Sequence, residues 1–138
     1  MSFVEQGFQF ASPAIQVERA VAELRYGRPV LLSGSSRSLA ALALDSVAPA
    51  VYDQFADVVG DRHSLLLTSH RAMRLMPGTT QDVAVPLAGI SFEQASQLAY
   101  GLGASAPDEW QTADRLMSMS VELARLALLL PAIVCADV

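Results

Sequence analysis

The sequence predicts an α/β fold with one mixed sheet flanked by helices, and three observations carry that prediction. Short apolar runs of strand length alternate with amphipathic runs of helix length, a pattern that builds a sheet covered by helices. Helix start and stop signals fall where one kind of run gives way to the other. Of the 138 residues, 52% are hydrophobic and 17% charged, which is enough apolar material for one core. The expected organisation is a single domain over residues 1–138, with no internal repeat and no low-complexity linker.

Residues 1–11 carry scattered apolar side chains, Phe3, Phe8 and Phe10 among them, and are expected to form an edge strand or to lie across the core. Ser12 is placed as an N-cap, with Pro13 at the first helical position, where a missing amide hydrogen costs nothing. Val17, Ala20, Val21 and Leu24 then recur at helical spacing, while Glu18, Arg19, Glu23 and Arg25 fall mainly on the other face. Gly27 supplies a left-handed stop and Pro29 blocks continuation. Residues 29–32 read as a short buried strand, and residues 34–38 as a small polar loop. The run LAALAL, residues 39–44, is too short and too apolar for periodicity to separate helix from strand. A strand is expected there.

Pro49 opens a helix that reaches Val58, with Val51, Phe55 and Val58 on its buried face and Gly60 as its stop. Residues 64–68, SLLLT, are a buried strand, and residues 69–75 a short helix halted before Pro77 and Gly78. Within residues 81–87 the alternating DVAVPL gives another strand. Ser91 and Gln94 form a capping-box pair for a helix from Phe92 to about Tyr100, ended by Gly101 and Gly103. A long helix is expected from about Asp108 to Leu130, with Leu116, Leu123, Leu126 and Leu130 facing the core. Pro131 closes it, and residues 132–138 form the last strand.

The net charge of −5 is spread along the chain, and the nine basic side chains, all Arg, form no run. That disfavours a nucleic-acid groove and an anionic membrane surface. The longest apolar run, residues 126–135, contains Pro131 and falls short of the ~20 residues of a spanning helix. Residues 1–8 lack a basic start followed by an apolar core, so no signal peptide is expected. One cysteine, Cys135, excludes an internal disulfide and a cysteine-rich zinc site; in its apolar run it reads as a buried, inert thiol. A cytoplasmic location is the corresponding expectation.

Candidate chemistry is sparse. After a strand, Ser35, Ser36 and Arg37 could gather hydroxyls, amides and a cation around a phosphate. The loop has neither P-loop spacing nor the three-glycine dinucleotide fingerprint, and the competing reading is a solvated turn. Ser69, His70 and Arg71 could cap a helix and aim a base at a pocket, with Asp45 as a carboxylate partner; the competing reading is an exposed imidazole at a helix start. The trio Asp61, Arg62 and His63 reads as a solvated loop. Neither histidine has the spacing of a metal pair, and no two carboxylates mark a divalent-cation site. Met117 and Met119 read as packing or interface residues, and Trp110 as an interface anchor or a core plug. No catalytic set, metal site or cofactor is expected from the residues.

Four stretches carry a resemblance to a known family: VERAVAELRYGRPVLL (residues 17–32), SLLLTSHRAMRL (64–75), GISFEQASQLAYGL (89–102) and SVELARLALLLPAIVCADV (120–138). They are similar to 3,4-dihydroxy-2-butanone 4-phosphate synthase, which converts ribulose 5-phosphate into a four-carbon phosphate and formate. The resemblance implies that family's fold with a shortened loop set, and a homodimer. In the family, the strand matching residues 29–32 leads into an acidic loop, Arg-Glu-Asn-Glu-Gly-Asp, that holds magnesium and substrate. Here it is Ser33-Gly34-Ser35-Ser36-Arg37-Ser38, without a carboxylate. The family's closing helix begins Gly-His-Thr-Glu, and those places fall on Arg115, Leu116, Met117 and Ser118. Its Arg-Pro-Gly-His stretch should lie between Leu102 and Arg115, where no histidine occurs.

Losses at separate sites remove distinct parts of one reaction. The chain therefore resembles a catalytically silent copy, and especially the shortened domain ahead of GTP cyclohydrolase II in alphaproteobacterial riboflavin proteins. Three functional expectations follow from the resemblance and the residues together. The first is a non-catalytic structural, dimerisation or regulatory domain, possessing an attached or associated cyclohydrolase partner. The second is a module that retains a sugar-phosphate site at Ser35, Ser36 and Arg37. The third is an enzyme with repurposed chemistry around His70 and Arg71.

Overall fold

A computed structural model describes residues 13–138. The expectations for residues 1–11 and for Ser12 as an N-cap lie outside them. In chain order the elements are α1 (Pro13–Arg25), β1 (Val30–Ser33), β2 (Ser38–Ala43), α2 (Pro49–Val58), β3 (Ser64–Leu67), α3 (Ser69–Leu75), β4 (Val83–Pro86), α4 (Phe92–Tyr100), β5 (Gln111–Thr112), α5 (Arg115–Leu126) and β6 (Ile133–Asp137). The strands form one six-stranded sheet in the order β1-β2-β6-β3-β4-β5.

Helices flank this sheet as predicted, but the expected mixture of strand directions is corrected. All five neighbouring pairs are antiparallel. β2 and β3 do run parallel to each other across the α2 connection, and β6 lies between them antiparallel to both. The alternation of strand and helix in sequence is blind to such an insertion, because it fixes the order of elements and not which strand fills a gap.

Both faces of the sheet are covered. Leu42, Leu65, Leu67, Val83, Val85 and Val134 point to one side, against Tyr52 and Phe55 of α2, Ala72 of α3, and Ala95 and Ala99 of α4. Leu39, Ala41, Leu66, Ala84, Ile133 and Cys135 point to the other, against Leu24 of α1 and Leu116, Val121 and Ala124 of α5. Burial on two faces explains why residues 39–44 and 64–67 are almost continuously apolar in sequence. Each fully buried Leu in these rows contributes about 1.5–3 kcal/mol.

Helix starts follow their sequence signals closely. Ser91 and Gln94 form the complete capping box, with Gln94 N to Ser91 Oγ at 3.1 Å and Ser91 N to Gln94 Oε1 at 2.9 Å. The cap of α3 is Thr68, whose hydroxyl accepts from Arg71 N at 3.3 Å, and not Ser69, which is the first helical residue.

The stops of α1, α2 and α5 share one geometry. Gly27 (φ +74) ends α1, with Gly27 N to Leu24 O at 3.0 Å and Arg28 N to Glu23 O at 2.9 Å. Gly60 (φ +61) ends α2 in the same way, through Asp57 O at 3.1 Å and the Asp61 N to Ala56 O bond at 2.9 Å. At the end of α5 the left-handed position is Leu128 (φ 61), with bonds of 3.0 Å to Arg125 O and from Leu129 N to Ala124 O. All three are Schellman stops, and the third is made without glycine.

That missing glycine is one reason the expected helix from Asp108 to Leu130 is corrected. The helix starts at Arg115, capped by Asp114 through Met117 N at 3.0 Å, and it ends at Leu126. Before it lies β5, a two-residue edge strand that the sequence did not reveal. The buried face of α5 is Leu116, Ser120, Val121 and Ala124, whereas Leu126 and Leu130 are exposed. On α2 the buried side chains are Tyr52 and Phe55 with Val59 just beyond the helix, and Val58 is 79% exposed. β1 is half exposed as an edge strand, with Leu31 open to solvent.

Candidate functional site

The β1–β2 hairpin turns through residues 34–37, closed by Gly34 N to Arg37 O at 2.8 Å. Gly34 rests on Leu116: a Cβ there would lie 3.5 Å from the Leu116 side chain. Between this turn and the start of α5 lies a cleft of about 360 Å³ lined by Ser35, Ser36, Arg37, Asp114, Arg115 and Met119, among others. The structure thus gathers the three residues predicted as phosphate contacts and adds Arg115, whose side chain makes no ion pair or hydrogen bond among the described residues.

Arg37 is already engaged. Its Nε donates to Asp137 Oδ1 at 2.8 Å and its Nη1 to Asp114 Oδ2. The Asp137 hydrogen bond, with Asp114 adding to it, raises the guanidinium above its ordinary value against the opposing effect of burial. Two carboxylates therefore hold the Arg37 guanidinium, and an incoming phosphate would compete with both. What the cleft offers chemically is a pair of serine hydroxyls, the Arg115 guanidinium and the helix start behind Asp114, a set for holding a small anion.

The second predicted cluster divides. The Arg71 guanidinium turns to the end of α4, donating through Nε to Leu98 O at 2.8 Å and through Nη2 to Gly101 O at 2.7 Å and Gln97 O at 3.1 Å. Gln97 O also accepts from Gly101 N at 2.8 Å, and the Arg71 donors to Leu98 O and Gly101 O extend that backbone stop, so Arg71 completes the α4 C-cap. Burial, with Arg74 adding to it, lowers the Arg71 guanidinium from its ordinary value. His70 is exposed, and its side chain makes no hydrogen bond or ion pair among the described residues. Asp45 is used by the backbone, accepting from Leu130 N at 2.9 Å. A cleft of about 270 Å³ does include His70, Arg71 and Tyr100 in its wall, and the buried Tyr100 hydroxyl lacks a partner there.

Two carboxylates that sequence reasoning passed over hold these regions together. Asp137 anchors Arg37, and Asp82 accepts from Ser69 N at 2.9 Å and from Ser118 Oγ at 3.0 Å, tying α3 to α5. Neither has a local signal, because each partner lies at least 13 residues away. His63, expected in a solvated loop, is 2% exposed and belongs to the core. Among the described residues no group of three His, Cys, Asp or Glu side chains could hold a metal ion. None of the described helices is long and apolar enough to cross a membrane.

A largely apolar groove of about 420 Å³ between α1 and α5 adjoins the first cleft through Ser33, Leu116 and Met119. Val17, Met119 and Leu126 are 40%, 50% and 61% exposed along it. Of the two methionines read as packing or interface residues, Met119 is half exposed and Met117 packs against the core. Trp110 is 42% exposed, which favours a surface position over a core plug.

The same arrangement of strands and helices occurs in solved structures of one enzyme family. A 3,4-dihydroxy-2-butanone 4-phosphate synthase in its cation-free form superposes with a TM-score of 0.64, at 19% identity over 88% of this chain and 74% of that one. The chain has the dihydroxybutanone phosphate synthase fold. The synthase of Candida albicans matches at a TM-score of 0.61 and 17% identity, covering 87% of this chain and 78% of the other. RibBX of A. baumannii, described as a two-domain synthase, matches at 0.59 and 21%, covering 88% and 47%.

In sequence, the chain is 43% identical over 129 residues to GTP cyclohydrolase-2 of Xylella fastidiosa strain Temecula1, covering 92% of this chain and 32% of that protein. The counterpart from strain 9a5c gives the same values. The chain spans about a third of the length of the curated relatives it matches. No family model matches it. Within the synthase-like fold, the turn 34–37 and the start of α5 are the places where the sequence resemblance put the family's acidic loop and its Gly-His-Thr-Glu motif.

Proposed function

We propose that residues 1–138 are one domain of a longer riboflavin-pathway protein of the GTP cyclohydrolase II type, performing a structural, dimerising or regulatory task with no reaction of its own. The observation that carries this reading is the 43% identity across 92% of the chain to a part making up 32% of GTP cyclohydrolase-2. The uses of the polar side chains support the non-catalytic part. Arg37 bridges two carboxylates, Arg71 caps α4, and Asp82 joins α3 to α5. A homodimer is supported by the apolar groove between α1 and α5 with its exposed Val17, Met119 and Leu126. A soluble cytoplasmic protein is the matching expectation.

The test uses the chain and the full gene product. Supplied with ribulose 5-phosphate and magnesium, the chain is expected to release no formate; sustained release would overturn the non-catalytic reading. The full gene product is expected to show GTP cyclohydrolase activity, and removing residues 1–138 to change its oligomeric state or its rate. A gene product with no such activity would overturn the context.

A second reading has one observation in its favour. Ser35, Ser36 and the unpaired Arg115 face one cleft beside Arg37, a set suited to a sugar phosphate. Calorimetric titration with ribulose 5-phosphate and GTP tests it, and no heat at millimolar ligand would remove it. The third reading, chemistry at His70 and Arg71, has the weakest support, since Arg71 is spent on backbone carbonyls and Asp45 on Leu130 N.

A further inference from the structure

Stepping back along the inward row of β3 from Leu67 and Leu65 leads to His63, whose side chain joins the same face of the sheet. The residue is 2% exposed, and neither Nδ1 nor Nε2 has a hydrogen-bond partner. The Tyr52 ring of α2 meets the imidazole edge-on at 5.6 Å between centroids and 73°. Phe92, at the start of α4, meets Tyr52 in the same manner at 5.7 Å and 74°. The Tyr52 hydroxyl gives no help to the imidazole, because it donates to Ile90 O at 2.8 Å. The His63 backbone is held too, its carbonyl accepting from Leu87 N at 3.0 Å. One ring therefore sits where α2, the entry to α4 and the β3–β4 pair meet.

Few charged or titratable groups face it. From α2 comes the Tyr52 phenol, pushed up to about 12 by burial, with Asp53 acting on that phenol. From its own connection come Asp61, whose charge favours protonation of His63, and Arg62, whose guanidinium turns to Asp137 O at 3.3 Å. The β4 side and the entry to α4 contribute Leu87, Ile90 and Phe92, which carry no charge. An imidazolium in this position would present two donors and find no acceptor. Burial outweighs Asp61 and pushes the imidazole below its ordinary value.

We propose that His63 is an acid-sensitive keystone, whose protonation expels its ring and loosens the α2–α3–α4 layer from the sheet while the α1–α5 layer stays packed. The sign follows from linkage. The closed form holds a neutral ring, and the open form takes a proton near pH 6.5, the ordinary histidine value. The contribution of His63 is thus complete above about pH 6.5 and is lost as pH falls below it. For one proton, the closed-to-open ratio at pH 5.5 is about tenfold lower than at pH 7.5.

Amide hydrogen exchange on the full chain between pH 5.5 and 7.5, corrected for intrinsic rates, is the test. Protection at Tyr52, Phe55, Ala95 and Ala99 is expected to fall about tenfold at pH 5.5, with Val121 and Ala124 unchanged. His63→Phe should flatten the profile, and His70→Gln, on the exposed imidazole, should leave it as it was. Equal loss in both layers, or a profile that His63→Phe does not alter, would overturn the proposal. If His63→Phe fails to fold, the ring nitrogen resonances of the wild-type protein decide: a His63 ring that protonates in the folded state above pH 6.5 overturns the proposal, and one still neutral at pH 5.5 supports it.

Discussion

Arg37 Nε donates to Asp137 Oδ1 at 2.8 Å across one hundred residues of sequence, and the same guanidinium also reaches Asp114 at the cap of α5. One side chain thus ties the first hairpin, the last strand and the last helix together at the mouth of the candidate cleft. The side chains involved are 30%, 47% and 60% exposed for Arg37, Asp114 and Asp137, so solvent screens each pair. Arg37→Gln is expected to cost about 1 kcal/mol or less per pair. Asp114→Ala should cost about 1 kcal/mol more, because it also removes the cap of Met117 N. Urea denaturation checks both, and 0.5 M salt should shrink the first effect while sparing the cap share of the second.

Arg71 gives a stronger prediction, since its donors meet three carbonyls at the end of α4, two of them in part-buried bonds. Arg71→Met keeps much of the apolar stem and is expected to lose about 1.5–3 kcal/mol. Hydrogen exchange at residues 98–101 should speed up in step. Unchanged stability and exchange would mean that the guanidinium is not the cap.

The three Schellman stops respond differently to substitution. Leu128 is left-handed and 84% exposed, so Leu128→Gly relieves strain of about 1–2 kcal/mol, partly offset by the greater freedom of glycine when unfolded. A net gain of about 0.5–1 kcal/mol, or roughly 2–4 °C in Tm, is expected by calorimetry. Gly60→Ala should cost only that backbone strain, because a Cβ there meets nothing within 4 Å. Gly27→Ala should cost clearly more, because its Cβ would lie 2.7 Å from Ser46 O.

Cys135 is 1% exposed, and burial, with Asp137 adding to it, pushes its thiol up to about 12. The folded chain at pH 8 is expected to leave Ellman's reagent unreacted, and urea to release one equivalent. Rapid reaction of the native protein would show that β6 opens readily.

Much of this was legible beforehand because its causes are local. Ser91 with Gln94 makes a capping box within three residues, and Gly27 and Gly60 mark stops that lie beside them. The end of α5 was not legible, because Leu128 adopts the left-handed conformation without the residue that announces it. The edge strand β5 is two residues long, too short for periodicity to register. Of the candidate residues, Ser35, Ser36 and Arg37 were located correctly as one loop. Their carboxylate partners, the capping role of Arg71 and the burial of His63 were not foreseen.

The amino-acid sequence by itself determined the order of strands and helices, the helix start at Pro49 and the cap at Ser91, and the apolar rows that two covered sheet faces require. Those follow from hydrogen bonding and side-chain spacing within a few residues. Tertiary structure alone decided that β6 enters between β2 and β3, that Asp137 thereby comes to Arg37, and that His63 is sealed beneath Tyr52. The physical reason is range. A strand's neighbour is chosen by which surface buries most apolar area and pairs the most backbone groups, and that choice compares segments far apart in the chain.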